Sequence, residues 1–139
     1  MRFARVIQGV WIAGFVIGTT THVFDLVIGG ANTYEPFPTA LRVFWVSLTL
    51  FDPLVVALLV FRRRAGIVLG LAVILVDVVV NWTVFFTMGG LSLFGVVNQA
   101  AFGIFLFATA TLLWRWMQTD RGVPQQQESP ASSRGPSAS

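Results

Sequence analysis

The sequence predicts an all-α fold: an integral-membrane four-helix bundle, running up and down, with the N-terminus and the C-terminus both cytoplasmic. Three observations predict it. Hydrophobic residues make up 55% of the 139 residues and charged ones only 11%, where a soluble domain carries about 25% charged residues to cover its surface. The apolar residues gather in four runs, at about 6–28, 43–61, 67–86 and 95–116, each near the roughly 20 residues that a helix needs to cross a bilayer. The third observation is where the charge falls. There is no lysine, and with four crossings Arg2, Arg5, Arg62, Arg63, Arg64, Arg115, Arg121 and Arg134 share one side while Arg42 stands on the other. The positive-inside rule assigns the arginine-rich side to the cytoplasm, in a cell membrane of plasma or inner type.

The first run follows a short head with Arg2 and Arg5. Head and run resemble a secretory signal peptide in outline. The run, however, continues past Thr19, Thr20, Thr21 and His22 to a second apolar patch and lacks a clear small-x-small cleavage site, so it reads as a retained span. Gly14 and Gly18 are four apart and share a helix face, where small residues let another helix approach. The connection 29–41 contains Gly, Asn and two Pro residues, which break helices, and Tyr34, Phe37 and Trp45 flank the next entry as interfacial aromatics do.

The second run has Asp52-Pro53 at its middle. Proline donates no backbone hydrogen bond and its ring crowds the carbonyl one turn back, here that of Thr49, so a kink is expected. Arg62, Arg63, Arg64, Ala65 and Gly66 make a tight turn between antiparallel helices. The third run is rich in Val, Leu and Ile. β-Branched residues disfavour helix in water, but in lipid each backbone group must bond internally, so helix is expected here too. Gly89 and Gly90 mark the turn to the fourth run, which ends in Trp114-Arg115-Trp116, an interfacial anchor. Residues 1–117 thus form one four-span domain, and 118–139, rich in Pro, Ser and Gln, read as a disordered cytoplasmic tail.

Composition also excludes. With no cysteine there is no disulfide, thiolate metal site, iron–sulfur cluster or cysteine nucleophile. The net charge of +3 sits at the ends of apolar runs, which points to membrane orientation and not to a nucleic-acid partner. No phosphate loop, dinucleotide glycine motif or serine nucleophile elbow is present, no stretch carries a family signature, and any cofactor is left open. The expected partner is the lipid bilayer, with Gly14 and Gly18 leaving self-association or a membrane-complex partner open.

The polar residues carry the functional expectation. Counted at 1.5 Å per residue, Asp52 and Asp77 both fall near mid-depth, Asn81 lies one turn from Asp77 on the same face, and His22 and Asp25 share a face near the outer end of the first span. Asn98 and Gln99 open the fourth span from the same side. A carboxylate at mid-bilayer costs about 2.5–3.5 kcal/mol on insertion scales, so these residues are expected to face the bundle interior, protonated or paired, with His22 or Arg42 as candidate partners. His22, Asp25, Asp52, Asp77 and Asn81 are therefore the candidate ligand-binding residues of an outward-facing polar chamber for a small polar or cationic ligand, or for protons. No metal is assigned, because His22 and Asp25 alone are more readily an oriented pair than half a metal site. Two other readings stay open: an accessory subunit whose polar groups join helices, and an enzyme on a lipid-soluble substrate using Asp52, Asp77 and His22.

Overall fold

A backbone that has left water satisfies its N–H and C=O groups internally, and long helices do so segment by segment. In a computed structural model of the protein, which describes residues 2–119, the chain forms four of them: α1 (Arg2–Gly29), α2 (Thr39–Val60), α3 (Arg64–Thr87) and α4 (Leu93–Thr119). All four are long and apolar enough to cross a membrane. They contain the apolar runs, save that α2 ends at Val60, one residue short of the expected 61, and they extend beyond the other expected ends, because the flanking residues continue the helical turn. The polar tail expected from 118 onward lies, past Thr119, outside the described residues.

The connections follow the local chemistry. A single 3₁₀ turn, Gly30–Asn32, leaves α1. The buried Thr33 then closes it, its hydroxyl donating to the Gly30 and Asp25 carbonyls at 2.8 and 3.2 Å. Tyr34 follows at a φ of 62°, a left-handed conformation in which a non-glycine residue is strained. Arg62, at a φ of 52°, makes the α2–α3 turn. Gly89 and Gly90, at φ of 71° and 82°, make the α3–α4 turn at no such steric cost. The helix α2 runs on through Pro53 to Val60.

Each helix packs on the next and α1 also meets α4, while the backbones of the diagonal pairs stay apart; α1 and α4 approach least among the four neighbouring pairs. Inward positions recur at three- and four-residue spacing: Ile7, Trp11 and Phe15 on α1, and Trp45, Leu48, Asp52, Val55 and Leu59 on α2. One large cluster joins Ile7, Trp11 and Phe15 to Val55, Leu59, Ile67, Leu106, Leu113 and Met117. Within a membrane, apolar helices have no water to expel from between them, and such a fit would work through van der Waals contact and interhelical hydrogen bonds. Gln8 Nε2 donates to the Leu59 carbonyl at 2.6 Å and Trp11 Nε1 to Thr109 Oγ1 at 3.0 Å. The Arg62 guanidinium stacks 4.4 Å over the Trp116 ring and that of Arg64 5.3 Å over Trp114. A second, smaller cluster gathers Trp45, Leu48 and Val84 under Tyr34 and Phe37. The bundle is thus filled solidly at the end carrying Arg62 and differently at the end carrying Tyr34.

Candidate functional site

Two inward positions carry carboxyl groups in place of hydrocarbon. Asp77 on α3 is 7% exposed and Asp52 on α2 is 5% exposed. Their surroundings differ. Asn81, one helical turn from Asp77, donates from Nδ2 to Asp77 Oδ1 at 3.0 Å, and Gln99 of α4 donates from Nε2 to Asp77 Oδ2. The Asn81 amide also donates to Gln99 Oε1 at 2.9 Å, and Asn81 Oδ1 accepts from Trp45 Nε1 at 2.8 Å. The network links α2, α3 and α4, and every member has a protein partner, the condition under which a buried polar cluster is stabilising.

No hydrogen-bond donor among the described residues reaches the Asp52 carboxyl. Its place is made by Gly18: a Cβ at that position would stand 2.7 Å from Asp52 Oδ2. Gly14, one turn away, likewise makes room for the Phe102 ring, which a Cβ would overlap. The small-residue face of α1 therefore admits side chains from α2 and α4.

Both carboxyls face one cavity of about 560 Å³. Its floor is Asp52 together with Val73, Ile74, Asp77 and Asn81 of α3; its sides are the Val10–His22 stretch of α1 and the Gly95–Phe102 stretch of α4, with Leu91 and Ser92 of the turn before it. Of the candidate residues, His22, Asp52, Asp77 and Asn81 line this space. Asp25 does not. It is exposed, and its Oδ2 accepts from the Tyr34 hydroxyl at 2.8 Å. The Tyr34 oxygen in turn lies 3.5 Å from His22 Nδ1, so the tyrosine bridges a surface carboxylate and a cavity residue. Burial first, then the hydrogen bond to Asp25, raise the Tyr34 phenol above its ordinary range.

Three residues outside the expected set belong to the arrangement: Gln99, Trp45 and Tyr34. Packing turns the stripe Val96, Gln99, Gly103, Leu106 inward, but α4 is apolar on nearly every face, so the sequence does not single that stripe out. For Trp45 and Tyr34 there is no signal either, because an interfacial aromatic and one that donates to a buried amide look the same in one dimension. Among the described residues, no group of three His, Asp or Glu side chains gathers closely enough to hold a metal.

These features define an all-helical protein whose four helices are each long and apolar enough to span a membrane, with a part-acidic cavity among them. Comparison with protein-family models, with curated proteins and with solved structures finds no match.

Proposed function

We propose that the chain is a multi-pass protein of a plasma or inner membrane, with both termini cytoplasmic, whose cavity binds a small cationic ligand within the bilayer. One observation carries this reading: Asp52 is buried, opens onto the cavity, and has no donor within reach among the described residues. An ionised carboxylate removed from water without a partner is costly, and a cation in the cavity is the partner of matching charge. Asp77, already served by Asn81 and Gln99, adds negative potential to the same space. The skewed arginines support the orientation. So does the stacking of Arg62 and Arg64 on Trp116 and Trp114, which joins the triple-arginine turn to the end of α4.

The test uses the full chain in lipid nanodiscs with methylammonium as probe. Binding is expected to weaken about tenfold or more in Asp52→Asn. Equal binding by wild type and variant at every pH would remove the proposal. A second reading, an accessory subunit, draws on the Asp77–Asn81–Gln99 network as an α3–α4 fastener. It predicts that Asp52→Asn alters nothing while Asn81→Ala alters assembly.

A further inference from the structure

The cavity has two chemistries and an open side. Asp52, Asp77, Asn81 and Gln99 make one region of its wall polar, while Val10, Ile17, Val73, Ile74 and Phe102 make most of the rest hydrocarbon. Ala13, Ile17 and Thr21 of α1 and Gly95 and Asn98 of α4 line the cavity and are nevertheless exposed. The cavity therefore opens sideways, between the two neighbouring helices that touch least. In a bundle that spans a bilayer, such an opening faces lipid. Its volume of about 560 Å³ lies within the roughly 300–1,000 Å³ of sites that enclose drug-sized ligands.

We infer that the ligand is an amphiphile, a protonated primary amine on a single hydrocarbon chain, which enters from the bilayer between α1 and α4. This rests on the cation-binding reading above and narrows it. A small hydrated cation would pair with Asp52 but leave the apolar wall without contacts. A neutral hydrocarbon would fill that wall but leave Asp52 with no partner. A chain-bearing amine satisfies both, its ammonium at Asp52 with Asp77 behind it and its chain against Val10, Ile17 and Phe102. It also suits the route, because such a molecule already partitions into the membrane with its headgroup at the interface. The same chemistry occurs in free alkylamines and in amine-headed lipids.

The experiment uses the full chain in phosphatidylcholine nanodiscs and a dodecylammonium probe carrying a photoactivatable group on its chain. Expected are photolabelling within 10–17 of α1 and 95–102 of α4, displacement by plain dodecylammonium at a concentration about tenfold or more below that of methylammonium, and no displacement by dodecanol. Ile17→Trp, at the margin of the opening, should slow dodecylammonium binding. If methylammonium binds through Asp52 and dodecylammonium does not displace it, the amphiphile inference is overturned and the cation site stands. If dodecanol displaces the probe as well as dodecylammonium does, the site reads hydrocarbon alone and the inference is again overturned. If neither amine binds in wild type, the cation-binding reading itself has failed. Displacement on adding lysophosphatidylethanolamine, an amine-headed lipid with one chain, would identify the source as a lipid headgroup; its absence alongside dodecylammonium binding identifies a free amine.

Discussion

The Asp52 carboxyl of α2 rests against the backbone of α1 at Gly18, so closely that a methyl group on Gly18 would stand 2.7 Å from Asp52 Oδ2. Gly18→Ala must therefore push the carboxyl aside or part the two helices, and overpacking of this kind costs about 1–3 kcal/mol. The expected result is lower stability in detergent unfolding together with weaker methylammonium binding. Gly9→Ala is the control, since a Cβ there meets nothing within 4 Å. Equal behaviour of the two variants would mean that Gly18 does not hold this carboxyl in place.

Asn81 accepts from Trp45 and donates to both Asp77 and Gln99, so its loss strips partners from three side chains at once. Interhelical hydrogen bonds in membranes average about 0.6 kcal/mol and reach about 1.7. Asn81→Ala should fall at the upper end of that range and Gln99→Ala nearer the middle. The double variant should cost less than the sum, because the two share partners. Additive losses in a double-mutant cycle would argue against one connected network.

Tyr34 is the chain's single tyrosine, so phenolate absorbance follows it alone. Burial and the Asp25 hydrogen bond raise its pKa in the folded protein. The unfolded phenol ionises first, near 10. The contribution to stability is therefore complete below about pH 10 and is lost as pH climbs from there through the folded value. Asp25→Asn should move the absorbance transition partway back toward 10, burial remaining. Tyr34→Phe should abolish the transition and flatten the alkaline fall in stability. A wild-type transition at 10 itself would contradict the arrangement.

The orientation is checked with introduced cysteines, which the cysteine-free chain makes unambiguous. A membrane-impermeant maleimide added to intact cells should label Asn32→Cys, between α1 and α2, and should reach Ser137→Cys only after the membrane is opened. The opposite pattern would invert the proposed sidedness. Arg62→Ala should lose about 0.5–1 kcal/mol of stability through its stacking on Trp116, and more than Arg64→Ala, whose ring lies farther away.

The four helices were legible in the sequence because hydrocarbon length is a one-dimensional quantity: a run either reaches across a bilayer or does not. The Asp77–Asn81 pair was legible for a similar reason, since both ends lie on one helix and spacing alone makes them neighbours. What spacing does not encode is the rotation of one helix against another. These helices are apolar on nearly every face, so no stripe of polarity announces which side turns inward. Gln99 could be placed beside Asp77 only once α3 and α4 were packed. Asp25 shows the same limit from the other side. It shares a helix face with His22 in sequence, yet Tyr34, arriving from a loop in a strained conformation, engages it outside the cavity. The sideways opening had no counterpart in the sequence, because it arises from where two helices fail to touch.

The hydrogen bond from Trp11 to Thr109 fastens α1 to α4 at the solid end of the bundle, whereas beyond the Phe15–Phe102 contact a cavity lies between them. If the bundle spans a bilayer, the pair would be a two-pronged fork gripped at its base, and a change in lateral pressure would be expected to alter the width of the gap before it disturbed the fold.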